Sequence, residues 1–159
     1  EMGARMVTGH RAYVASLDGA DAAFGWVATR HAPIGELGID FDVPAGERYL
    51  WNFVTLPSQR GRGIYPRLLD AIVQAESADA ERFWIIWAPE NHASAGGIEK
   101  AGLVEAAELS FDVDGRPAQR PAARVREGAA IAIRVPVDAV RKTVPAACRS
   151  GDRCTPCPS

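Results

Sequence analysis

Three kinds of feature are scarce in this chain. No apolar run approaches the roughly 18 to 20 residues that cross a bilayer, and no basic leader with an apolar stretch and small residues opens the sequence. Neither a membrane span nor secretion is indicated, and the cytoplasm is the expected compartment. Charge of either sign is not in excess: 18 Lys and Arg against 20 Asp and Glu leave a formal net charge of -2. That balance argues against a dedicated nucleic-acid binder, although Arg116 to Arg126 holds four arginines and reads as a loop. Cysteine is absent from the prospective core, since all three cysteines fall in the last dozen positions.

What is there fits one compact domain. With 159 residues and 47% apolar content the chain can bury a single core. The domain is expected over residues 1–143, followed by a cysteine-containing tail over 144–159. In that tail Cys154 and Cys157 stand two residues apart with Cys148 nearby. They could give three thiolates to a zinc or iron-sulfur site completed by His10, His31, His92 or another chain. A Cys154 to Cys157 disulfide and a plain tail with incidental thiols are open alternatives.

Loose alternation over Arg11 to Leu17, the turn cluster Asp18-Gly19-Ala20-Asp21 and the run Ala22 to Thr29 predict a hairpin. Ile34 to Phe41 is expected to continue or replace part of its second strand. A further strand over 48–56 then leads to a helix over 64–77, with Ile64, Leu68 and Ile72 at four-residue spacing. The apolar run Phe83 to Ala88 reads as a strand covered on both faces. A helix near 94–101 follows, then strands over 104–113 and 129–137. The sum is a mixed α/β sheet, mostly antiparallel, around one parallel strand-helix-strand unit. Strict alternation would put Tyr49, Trp51 and Phe53 on one face, as core or as wall of a binding site. Trp26, Trp84 and Trp87 read as core.

The segment Thr55-Leu56-Pro57-Ser58-Gln59-Arg60-Gly61-Arg62-Gly63-Ile64-Tyr65-Pro66 joins a strand to a helix through glycines and arginines. Backbone amides approach a ligand closely at glycine, and the first-turn amides of a helix have no intrahelical partners and sit at its positive pole. This is an anion site suited to phosphate. A Walker loop is excluded, because Ile64-Tyr65 stands where Lys and Ser or Thr are required. A dinucleotide fingerprint lacks its glycine spacing and the acidic residue that should close the next strand. The bland alternative is a solvated Gly-Arg-Gly turn.

Arg60-Gly61-Arg62-Gly63-Ile64-Tyr65 resembles the coenzyme A pyrophosphate loop of the GNAT superfamily of N-acetyltransferases, which reads Gln or Arg, two residues, Gly, one residue, then Gly or Ala. Tyr65 replaces the last small residue. Asn91 at a strand exit, a helix, then Lys100-Ala101-Gly102-Leu103 resembles the second acetyl-CoA motif of that family. The resemblance covers about residues 10–137. It implies acetyl-CoA as acyl donor, held by Thr55, Leu56, Gln59, Arg60, Gly61, Arg62, Gly63, Ile64, Tyr65, Asn91 and Ser94. It also implies direct transfer of acetyl to a primary amine of a small molecule or peptide.

For the developing oxyanion the resemblance points to the amide of Leu56. The base is expected among Glu36, Asp40, Asp42 and Glu90, with Glu36 chosen. The family tyrosine seven residues after the motif Asn falls here on Ile98, so the leaving thiolate would take its proton from Ser94, Tyr65 or solvent. The family's opening strand and two helices have no counterpart ahead of Arg11. That implies a fragment, an open acceptor site, or a site completed by a partner chain or second copy. The different reading is a non-catalytic acyl-CoA-binding or scaffold subunit whose tail docks a metal or a partner. Within the second helix Gly96-Gly97 costs roughly 1 kcal/mol per glycine relative to alanine. Either something lies against the bare backbone there, such as a pantetheine arm or a strand, or the helix starts only after Gly97.

Overall fold

A computed structural model describes residues 9–111 together with 117–121 and 131–134. Strands β1 (His10–Leu17) and β2 (Ala20–Ala28) form the expected hairpin. Its two-residue turn, Asp18-Gly19, has positive φ at both positions, which matches the twist of the flanking strands. Next come the short strands β3 (His31–Ile34) and β4 (Ile39–Asp42), joined by a 3-10 turn at Gly35–Leu37. They pair with each other as a separate two-stranded sheet. The segment 34–41 therefore neither continues nor replaces β2: it bears Ile34 and Leu37, which reach apolar partners as a small flap over the main sheet.

β5 (Glu47–Thr55) leads into helix α1 (Ile64–Glu76), β6 (Arg82–Trp87), helix α2 (His92–Lys100) and β7 (Val104–Phe111). The short strands β8 (Pro117–Pro121) and β9 (Ile131–Arg134) complete the described elements. The main sheet has the order β1-β2-β5-β6-β9-β7-β8. The parallel unit expected from the sequence is β5-α1-β6, and β9 adds two parallel pairings, with β6 and with β7. β8 corrects the loop expected over 116–126 for its five residues; the two prolines that bound it fit a strand at the sheet's edge, where an amide need not be donated. Positions 122–126 lie outside the described residues, as do Cys148, Cys154 and Cys157 and the whole tail.

Two apolar clusters flank the sheet. On the helical face Val27, Leu50, Phe83 and Ile85 meet Leu68, Leu69 and Ile72 of α1 and Ile98 of α2. On the other face Ala28, Tyr49 and Leu109 are covered by Ala32, Ile34, Leu37 and Val43, with Trp84 and Ile86 packed alongside. β6 thus contributes to both clusters, which accounts for its continuous apolar run. Among the described residues no helix is long and apolar enough to cross a membrane.

The four-residue row on α1 continues one place beyond Ile72, to Glu76, whose side chain is fully buried. Its carboxylate accepts from Arg48 Nε at 2.7 Å, Arg11 Nη1 at 2.7 and 2.8 Å, and the Tyr13 hydroxyl at 2.6 Å. Burial by itself would raise the Glu76 pKa, but the bonds from Arg48, Tyr13 and Arg11 outweigh it and hold the carboxyl below its ordinary range. This knot ties the end of α1 to β1 and β5, so the opposite end of the helix is aimed by a fixed shaft.

Candidate active site

β5 and β6 run side by side only from Glu47 and Arg82 to Leu50 and Ile85, although both strands continue. The cause lies in β5. Against β2 the register passes from Phe24 opposite Val54 to Trp26 opposite Trp51, so β5 carries one residue too many there. Asn52, at φ 51°, is the residue in left-handed conformation. Such a bulge bends its strand, and β5 leaves β6 at that point. It also corrects the shared face expected for Tyr49, Trp51 and Phe53: Tyr49 and Trp51 belong to the flap-side cluster, whereas Phe53 packs on the helical side.

The fork opens into a groove of about 1040 Å³. One end is walled by Gln59, Arg60, Gly61, Gly63 and Tyr65, one side by Asn91, Ser94, Gly96, Gly97 and Lys100, and the flap side by Ile34, Leu37 and Trp51. The two segments singled out from the sequence thus converge on one cavity, through strands that are neighbours only in the sheet.

At the loop, Gly61 and Gly63 have φ of 75° and 68°. Gly63 is the N-cap of α1 and offers no side chain to the first-turn amides, and no acidic residue stands in that turn. The positive pole of a 13-residue helix is therefore left for an external anion. Arg60 and Arg62 are exposed on the loop, Arg60 Nε donating to the Thr55 carbonyl at 3.3 Å and Arg62 to Gln59 Oε1 at 2.6 Å.

The Leu56 amide is not available as an oxyanion donor. It donates to the Ala22 carbonyl at 2.9 Å and so extends the β2 to β5 ladder by one rung. Because amides alternate sides along an antiparallel strand, that of Thr55 faces away from β2, toward the fork. Glu36 lies in the 3-10 turn between the groove-lining Ile34 and Leu37.

α2 begins at His92 and contains both glycines, so the alternative start after Gly97 is corrected. Asn91 is its N-cap, its side chain accepting from the Ser94 amide at 3.0 Å. The two glycines differ in surroundings. A Cβ on Gly96 would meet nothing within 4 Å, whereas one on Gly97 would lie 2.3 Å from Tyr65 Cδ1. What lies against the bare backbone at Gly97 is the Tyr65 ring. The Tyr65 hydroxyl stands 3.3 Å from Ser94 Oγ, and burial raises its pKa, with the Ser94 bond acting in the opposite sense. Ile98 is buried in the helical-side core and presents no hydroxyl.

No known family model matches the sequence, and no curated protein matches it. Among solved structures, a putative acetyltransferase from Agrobacterium tumefaciens str. C58 is 18% identical, with 79% of this chain and 75% of that one covered at a TM-score of 0.50. Aminoglycoside acetyltransferase AAC(6')-Ib, in complex with coenzyme A and kanamycin, is 19% identical, with 74% and 68% covered at a TM-score of 0.53. The same enzyme with paromomycin and acetyl-CoA gives 19% identity and a TM-score of 0.53, covering 74% of this chain and 66% of that one. The chain has the GNAT acetyltransferase fold.

Proposed function

We propose that the protein is an acetyltransferase that moves an acetyl group from acetyl-CoA to a primary amine by direct transfer. The observation that carries this reading is the fork itself: a helix pole that no side chain caps, with Arg60 at the groove and Arg62 beside it on the loop, and backbone released from sheet pairing where β5 leaves β6. A pyrophosphate suits the loop of Gln59, Arg60, Gly61, Arg62, Gly63 and Ile64. A pantetheine arm between β5 and β6 could complete the pairing that the bulge interrupts. The bond acceptors of such an arm are amide groups, which match strand edges. That two acetyltransferase structures of this fold hold coenzyme A or acetyl-CoA supports the same reading.

In this reading the Thr55 amide, freed by the divergence of β6, is aimed at the oxygen of the tetrahedral intermediate. One such donor contributes roughly 3 kcal/mol when preorganised. The acceptor enters from the flap side, since the loop and helix pole occupy the other end, and Glu36 on the flap takes up its proton directly or through water.

The experiment is calorimetric titration with acetyl-CoA followed by free-thiol release with a panel of amines. Saturable binding with amine-dependent release is the expected result. Binding without release for any amine would favour the non-catalytic acyl-CoA-binding subunit, and absence of binding would remove both readings.

A further inference from the structure

Two of the groove residues expected to contact the cofactor also pair their hydroxyls with each other. Tyr65 comes from the first turn of α1 and Ser94 from the first turn of α2; their oxygens lie 3.3 Å apart, and both residues line the groove. Three contacts fix that arrangement. The Tyr65 ring fills the space a Cβ on Gly97 would need, it packs on Phe53 with centroids 5.5 Å apart, and Asn91 anchors the Ser94 amide at 3.0 Å. Phe53 is itself seated on a glycine, since a Cβ at Gly25 would fall 2.1 Å from its ring. The phenol is thus seated between β5 and α2, on the wall of the groove.

We propose that Tyr65 is the acid that protonates the sulfur leaving the thioester, that Ser94 is its positioning residue, and that position 97 is glycine to admit the ring. The proposal rests on the acyl-transfer reading above. The amine lone pair forms the C–N bond, and the tetrahedral intermediate collapses with cleavage of C–S, whose electron pair goes to sulfur. The Tyr65 proton passes to that sulfur and gives the free thiol, while Ser94 Oγ–H donates to the resulting phenolate. The proton shed by the acetylated nitrogen goes to the base or to solvent, and Tyr65 is reprotonated from solvent. Burial keeps the phenol protonated at neutral pH, and the Ser94 bond, which favours the ionised form, is the one the step calls upon.

Tyr65→Phe retains the ring contacts with Gly97 and Phe53 and removes only the hydroxyl. The expected result is a fall in kcat of about 100-fold, with acetyl-CoA affinity by calorimetry within about twofold of wild type. The decline of kcat at alkaline pH, which reports loss of the phenolic proton, should vanish in the same variant. Ser94→Ala should lose about tenfold and move that alkaline limb upward. Wild-type turnover with kcat and alkaline limb unchanged in Tyr65→Phe would overturn the proton assignment and leave the acyl-transfer reading standing. Equal losses of kcat and acetyl-CoA affinity would overturn it too, by making Tyr65 a wall of the seat. Wild-type protein that releases no thiol with any amine would instead sink the acyl-transfer reading on which both depend.

Discussion

Glu76 and Gly97 are two residues whose neighbours explain choices that look unfavourable in isolation. A carboxylate in the apolar row of α1 is tolerated because two guanidinium groups and a phenol satisfy it. Glu76→Gln leaves Arg48 buried without its counter-charge, and a loss of about 3 kcal/mol by denaturant unfolding is expected. The folded-state pKa of Glu76 is depressed, so its contribution is complete above the ordinary value of 4.5 and disappears as pH falls through the lower folded value. Wild type should therefore lose more stability than Glu76→Gln between pH 5 and pH 2, and equal slopes would refute the knot. At the paired glycines opposite outcomes are expected. Gly96→Ala meets open space and should raise the stability of the unliganded protein by roughly 0.5 to 1 kcal/mol. Gly97→Ala must displace the Tyr65 ring, and overpacking of about 1 to 3 kcal/mol outweighs the same helical gain.

At the scale of elements, the strand-loop-helix unit and the bulge are separable devices. The loop supplies charge and free amides, and Arg60→Glu combined with Arg62→Glu should weaken acetyl-CoA binding by at least tenfold while shifting the unliganded melt little, because both side chains are exposed. A Kd unchanged by the double substitution would move the phosphate seat elsewhere. This unit was legible from residues 55–66 alone, since its chemistry is local: glycine φ, helix pole and arginine are set within a dozen positions. The bulge was not legible. Nothing in Trp51-Asn52-Phe53-Val54 announces an extra residue, because a bulge exists only relative to a partner strand, and that partner, β2, lies about 30 positions earlier. For the same reason the sequence assigned Phe53 to the wrong face, and it offered Leu56 as a free donor when the Ala22 carbonyl already holds that amide.

At the scale of the whole molecule, a ligand lodged between β5 and β6 would bridge the two halves of the sheet. At about 100 times Kd, acetyl-CoA should stabilise the folded protein by roughly 2.7 kcal/mol, read as a rise in Tm by calorimetry. Coenzyme A should give nearly the same shift, since both carry the pyrophosphate and pantetheine arm. A shift from acetyl-CoA that free pantetheine reproduces in full would argue that the helix pole takes no part. The Glu76 knot belongs to this scale as well. One sign of it was in the sequence, an acidic residue at the next place of the row Ile64, Leu68, Ile72, but its partners are 28 to 65 positions away and only packing brings them in.

By itself the sequence determined the β1-β2 hairpin, the succession β5-α1-β6-α2-β7 and a glycine- and arginine-rich loop suited to an anion, because these follow from short-range periodicity, turn residues and backbone freedom. Tertiary structure decided where β5 parts from β6, which backbone amide faces the opening, and which side chain the glycine of α2 admits. Each of those is a relation between segments far apart in the chain. The pairing of amides and the exclusion of atoms from one another are fixed only when the two surfaces meet.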